Sequence, residues 1–86
     1  MSTVTTLATQ FGFAETQTGG GCTALERTLP DGSYLLITDD GGCETPRTVK
    51  TEVLVGLYED DGEEAGYWYF KTLPDALSHV TAHFAL

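Results

Sequence analysis

Eighty-six residues hold one domain, 1–86, and leave no room for a second; a chain this short buries about 60–65% of its unfolded surface, enough for one modest core and not for a deep substrate cavity. Hydrophobic residues at 41% and charged residues at 20% are globular rather than disordered composition. Thirteen acids against four bases give a formal net charge of −9 and a pI near 4.2, which repels nucleic acid and anionic lipid and attracts basic protein surfaces, although acidity also serves solubility alone.

The first element is a short helix. Thr3 is placed to cap it, Val4, Leu7, Ala8 and Phe11 form one apolar stripe, and Gly12 sits where a helix end favours a left-handed residue. Strand patterning follows over 13–18, is broken by Gly19-Gly20-Gly21, and resumes over 22–29. Pro30-Asp31-Gly32 is a turn, because Pro presets φ and Gly accepts positive φ. A strand over 33–38 has apolar residues on both faces, and a loop with Gly41, Gly42 and Pro46 leads to a Val- and Leu-rich strand over 52–58. Residues 59–66 (EDDGEEAG) read as a turn, and 67–71 as a closing aromatic strand. The last element is a helix opened by Thr72-Leu73-Pro74-Asp75, a capping box with Pro in the tolerated first turn, and carrying Leu73, Leu77, Val80 and Phe84 on one face. Short connections between strands predict an α+β fold: an antiparallel meander of four to five strands flanked by an N-terminal and a C-terminal helix.

Four features bear on function. Residues 26–64 hold eleven acids and three bases, so the charge lies in the middle hairpins. Alternate turns of a meander share an end, which groups Asp31 with Glu59, Asp60, Asp61, Glu63 and Glu64. Five carboxylates in six residues approach the linear charge density of a nucleic-acid strand. Such an edge can occupy the basic groove of a nucleic-acid enzyme; the plainer alternative is a solvated hairpin turn. The spacing is not that of a calcium loop.

Cys22, Cys43, His79 and His83 are the residue types of a zinc site, with the histidines at i, i+4. The cysteines are not a Cys-x-x-Cys pair, and the histidines lie about 10–16 Å down the last helix from its start, off the apolar stripe. A four-ligand site is therefore not expected. The cysteines read as thiols, Cys22 as a small buried hydrophobe and Cys43 in a loop, or as neighbouring thiols able to oxidise or bind metal. Thr18-Gly19-Gly20-Gly21-Cys22 and Thr38-Asp39-Asp40-Gly41-Gly42-Cys43 both end in Gly-Gly-Cys, which reads as two similar loops.

In the aromatic run Tyr67-Trp68-Tyr69-Phe70, alternate residues face opposite sides. Register predicts Trp68 beside Val55 and Phe70 beside Val53, with Tyr67, Leu54 and Tyr69 on the other face and Tyr58 nearby. If both helices cover one face, the other presents tyrosines suited to a partner or a second copy. The glycine run precedes a strand rather than a helix, so it is not a phosphate loop. No catalytic signature is present, and the acids sit in turns open to water, so no enzyme activity and no cofactor are expected.

No stretch reaches the ~18 apolar residues of a membrane span, and Met1 to Gln10 has neither a basic region nor a long apolar run, which predicts a cytoplasmic chain without a signal peptide. Small, acidic and α+β, the chain is similar in kind to phage or mobile-element inhibitors and to acidic secretion chaperones, and no motif narrows that likeness. The expected function is a non-enzymatic binding module docking on a basic, nucleic-acid-binding partner, with Asp31, Glu59, Asp60, Asp61, Glu63 and Glu64 supplying charge and Tyr58, Tyr67 and Tyr69 supplying contact area. The alternatives are a thiol or metal-binding protein using Cys22 and Cys43, and a homodimeric chaperone-like scaffold.

Overall fold

In the computed structural model, which describes residues 3–84, α1 (Thr3–Gln10) precedes five strands, β1 (Ala14–Gly19), β2 (Cys22–Thr28), β3 (Tyr34–Asp39), β4 (Val53–Tyr58) and β5 (Glu64–Phe70), and α2 (Leu73–His83) follows them. The strands lie in the order β1-β2-β3-β4-β5, each antiparallel to its neighbour. This is the α+β meander that the turn chemistry predicts.

Each helix carries its own stop and start signals. α1 buries Val4 and Ala8 and ends where the Phe13 N–H donates to the Ala8 carbonyl (2.9 Å), with Gly12 at φ 81°. Arg27 reaches up from β2 to donate to the Phe11 carbonyl, placing a cation at the negative end of the helix. The positive φ favours glycine there, and a side chain at position 12 would lie 2.6 Å from that guanidinium and displace it. At α2, Thr72 Oγ1 accepts from the Asp75 N–H (3.3 Å) and Pro74 lies in the first turn. Leu73, Ala76, Leu77 and Val80 are its buried stripe.

The register decides which face the helices cover. Leu25, Ile37, Val55 and Trp68 form one row across β2 to β5, and Leu35 and Val53 share their face. The residues of that face pack in one cluster with Val4 and Ala8 of α1 and with Leu73, Ala76, Leu77 and Val80 of α2. Both helices thus sit on the same side of the sheet. Burying a Leu- or Val-sized side chain is worth about 1.5–3 kcal/mol, so this single apolar layer accounts for most of the folding drive. The opposite face carries the other row, Glu26, Leu36, Gly56 and Tyr67, with no helix upon it.

Two readings of the sequence are corrected. Residues 59–66 are not all turn: a main-chain bond from Glu59 N–H to Glu63 O (2.8 Å) closes the turn, and β5 begins at Glu64. Tyr58 pairs with Glu64 and Leu57 with Gly66, which leaves Ala65 as a bulge. The run of acids and glycine hid three strand residues. The cysteines are not thiols: Cys22 and Cys43 form a disulfide, their Cα atoms 4.8 Å apart. The two Gly-Gly-Cys loops meet because the 40–52 loop folds back along β2, where Thr23 N–H donates to the Cys43 carbonyl (2.8 Å) and Thr45 N–H to Thr23 Oγ1 (3.1 Å).

Candidate functional site

The uncovered sheet face is concave over β3 and β4, forming a groove of about 380 Å³. Tyr34 and Tyr58, paired across β3 and β4, stack at 5.4 Å between ring centroids with planes 13° apart. Tyr58 can lie across the sheet because its neighbour two positions back is Gly56. A β-carbon there would stand 2.7 Å from Tyr58 Cε1. Leu36 lies beside Gly56 in the same row, Glu26 of β2 lines the groove on the way to Thr16 and Thr18 of β1, and Tyr67 and Glu64 of β5 line its other side. Tyr67 and Tyr69, packed edge to face at 6.0 Å, are 59% and 58% exposed, the large hydrophobic side chains most open to solvent among the described residues.

The acidic edge adjoins this groove. The turns Leu29-Pro30-Asp31-Gly32-Ser33 and Glu59-Asp60-Asp61-Gly62-Glu63 have the same construction. In each, the first N–H donates to the fifth carbonyl, the fourth N–H to the first carbonyl, the fifth N–H to the central Asp carboxylate, and the glycine has positive φ. They lie together at one end of the sheet, with Asp31, Ser33, Glu59 and Asp60 around a shallow depression, as the meander predicts. Gly62 lies beside the Tyr34 hydroxyl, which a β-carbon would approach to 3.7 Å, so the acid turn and the aromatic groove are continuous. The hydroxyl and N–H of Ser33 hold the Asp31 carboxyl below its ordinary pKa. Burial, with the Glu64 carboxylate and then Tyr34 adding to it, pushes the Tyr58 phenol above its ordinary value.

The cysteine and histidine candidates do not come together. With both sulfurs in a disulfide, neither is free to bind metal as a thiolate. His79 and His83 stack on one another at 5.6 Å on the flank of α2, over Phe70 (5.0 Å) and Trp68 (6.1 Å) of β5. Among the described residues, three or more metal-ligating side chains converge at Glu59, Asp61 and Glu63, whose oxygens lie within 4.8 Å of one another in open solvent. That convergence follows from the turn itself.

The sequence predicts Asp31, Glu59, Asp60, Asp61 and Glu63 at one end, and Tyr67 and Tyr69 on one face with Tyr58 nearby; the structure has the acids at that end and Tyr58 on the same face as the other two. The sequence pattern takes Glu64 as part of the turn, whereas Glu64 stands on β5 at the groove. It passes over Glu26, Tyr34, Leu36 and Gly56. Leu36 gave the available signal: an apolar residue on the face opposite to Leu35 and Ile37. None of the protein's own cations lines the groove. Arg27 serves α1, and Arg47 pairs with Glu44 at 3.5 Å in solvent. No family model, curated protein or solved structure matches the chain.

Proposed function

We propose that this protein is a non-enzymatic binding module that docks on a basic, nucleic-acid-binding protein through its uncovered sheet face and the acidic turns beside it. The observation that carries the reading is the placement of both helices on one face, which leaves the tyrosine-bearing face without a second layer and sets it against an acidic edge. Tyrosines supply large contact area at low entropic cost, and carboxylates at the rim speed encounter and select for positive partners. Charge also chooses between a foreign partner and a second copy. Face-to-face pairing of two such surfaces would set Glu26 and Glu64 of one copy against those of the other, with no cation between them.

The density of carboxylates across the two turns supports the more specific version, an inhibitor of the phage or mobile-element kind that occupies a nucleic-acid groove by imitating its charge. Such an encounter belongs in the cytoplasm. The Cys22–Cys43 disulfide is a feature more usual in oxidising compartments, so the cytoplasmic placement rests on the partner's chemistry and not on the cysteines.

Immobilised protein is exposed to nuclease-treated lysate at low and high salt, and the retained proteins are identified and purified. The expected outcome is a basic nucleic-acid-binding protein held at low salt and displaced by duplex DNA. The double reversal Asp60→Lys/Asp61→Lys should lower its affinity about tenfold or more, each exposed charge being worth up to ~1 kcal/mol, and flatten the salt dependence. Unchanged affinity on charge reversal sinks the reading. A solution dimer split by Tyr69→Glu would replace it with self-association.

A further inference from the structure

Resting on that reading of the open face as a binding surface, we infer that the groove over Gly56 receives one arginine side chain of the partner, its guanidinium laid against the Tyr34–Tyr58 pair between the carboxylates of Glu26 and Glu64. The groove has both parts of a cation site. Two stacked phenol rings offer the negative potential of their faces. Glu26 on β2 and Glu64 on β5 both line it, and neither forms an ion pair among the described residues. β2 and β5 are three strand spacings apart, about 14 Å at the backbone. Glu26 shares its row with Leu36, Gly56 and Tyr67, and Glu64 shares the next row of the same face with Tyr58 and Tyr34, so an incoming side chain has room between the two carboxylates.

The same geometry excludes other occupants. Glu26 and Glu64 stand on strands three spacings apart, too far to share a small divalent ion through ligand bonds of about 2.0–2.6 Å. An apolar side chain would strip water from two carboxylates and give them no partner in exchange. Guanidinium suits the site better than ammonium: it is planar and weakly hydrated, stacks on aromatic faces, and presents donors in a fork that matches a carboxylate. Gly56 sets the shape, because any side chain there would push Tyr58 off the sheet and close the floor.

The test is an amide-shift titration of the full chain with the capped peptide Gly-Gly-Arg-Gly-Gly and with its citrulline counterpart, which keeps the shape and removes the charge. A single residue binds weakly, so saturation is expected in the millimolar range, about 4 kcal/mol, with the largest shifts at Leu36, Gly56 and Tyr67. Citrulline should bind at least about tenfold more weakly. Glu26→Gln and Glu64→Gln should each lower affinity about fivefold, the equivalent of ~1 kcal/mol. Gly56→Ala should abolish the shifts while the rest of the spectrum stays that of the folded protein. Equal response to citrulline, shifts confined to the Glu59–Glu63 turn, indifference to both glutamine variants, or no saturable binding each overturns the inference. The two readings fail separately. A basic partner still captured by protein that ignores the peptide removes the arginine groove and keeps the binding face, whereas peptide binding without any basic partner removes the proposed role and keeps the groove.

Discussion

Tyr58 illustrates how one residue's setting can be measured directly. Its phenol is disfavoured as an anion by burial first and by the Glu64 carboxylate second. An acid whose folded pKa is raised keeps its proton when the unfolded chain has lost it. The stability it contributes is therefore full below the ordinary value of 10.0 and is lost as pH rises from there toward the folded value. Alkaline titration followed by tyrosinate absorbance should show a late phase above the ordinary phenol value. Tyr58→Phe should remove that late phase, and Glu64→Gln should move it earlier. A late phase that persists in Tyr58→Phe would reassign it. At this scale the sequence was legible where chemistry is local. The Asp-Gly turns, the Thr72 cap and the sharing of one face by Tyr67 and Tyr69 all follow from neighbours one to four positions away. Gly56 was not legible. Its importance lies in a ring folded over it from Tyr58 and held by Tyr34 across the sheet, and no local pattern announces such a contact.

Among the elements, the 40–52 loop depends most on a crosslink. It has no strand of its own, and it is fastened at four places: the Cys22–Cys43 disulfide, the Thr23 hydrogen bonds to Cys43 and Thr45, the Asp39 N–H donating to the Glu44 carbonyl (2.6 Å), and the Leu73 N–H donating to the Val49 carbonyl (3.1 Å) at the head of α2. Cys43→Ser removes the first of these. For a closed loop of this length the chain-entropy estimate is about 3 kcal/mol, so the urea midpoint of Cys43→Ser should fall accordingly and match that of wild type under reductant. A midpoint unchanged in both would show that the hydrogen bonds alone hold the loop. The pairing could not be read from spacing. Cys22 and Cys43 are neighbours because the loop doubles back along β2, a long-range event that the repeated Gly-Gly-Cys only hints at. Strand boundaries failed in the same way at β5, where acids that pattern as loop are carried on a strand and absorbed by a bulge at Ala65. Both edge strands are irregular, β1 between Gln17 and Gly19 and β5 at Ala65, which protects them from edge-to-edge pairing.

For the molecule as a whole, charge and layering dominate. Thirteen acids face four bases, and Arg47–Glu44 is the one ion pair among the described residues. Self-repulsion therefore opposes folding in dilute buffer. Screening shortens its reach from about 30 Å at low salt to ~8 Å at physiological ionic strength. Added sodium chloride should raise the melting temperature by about 4–8 °C, the shift that ~1 kcal/mol produces in a domain of this size; a flat or falling response would mean that the carboxylates are already balanced. The order and direction of the strands were legible from turns and alternation. The side on which the helices lie was not, because an apolar stripe shows that a helix is packed without showing against which face, and the bare tyrosine layer depends on that choice. The disulfide has a further consequence for the covalent molecule. It closes β2, the Leu29–Ser33 turn and β3 into a ring, and Pro30, Asp31 and Gly32 at the crown of that ring are exposed. A protease that nicks the crown would leave a single molecule of unchanged mass but for one added water, and its two pieces would part only on reduction.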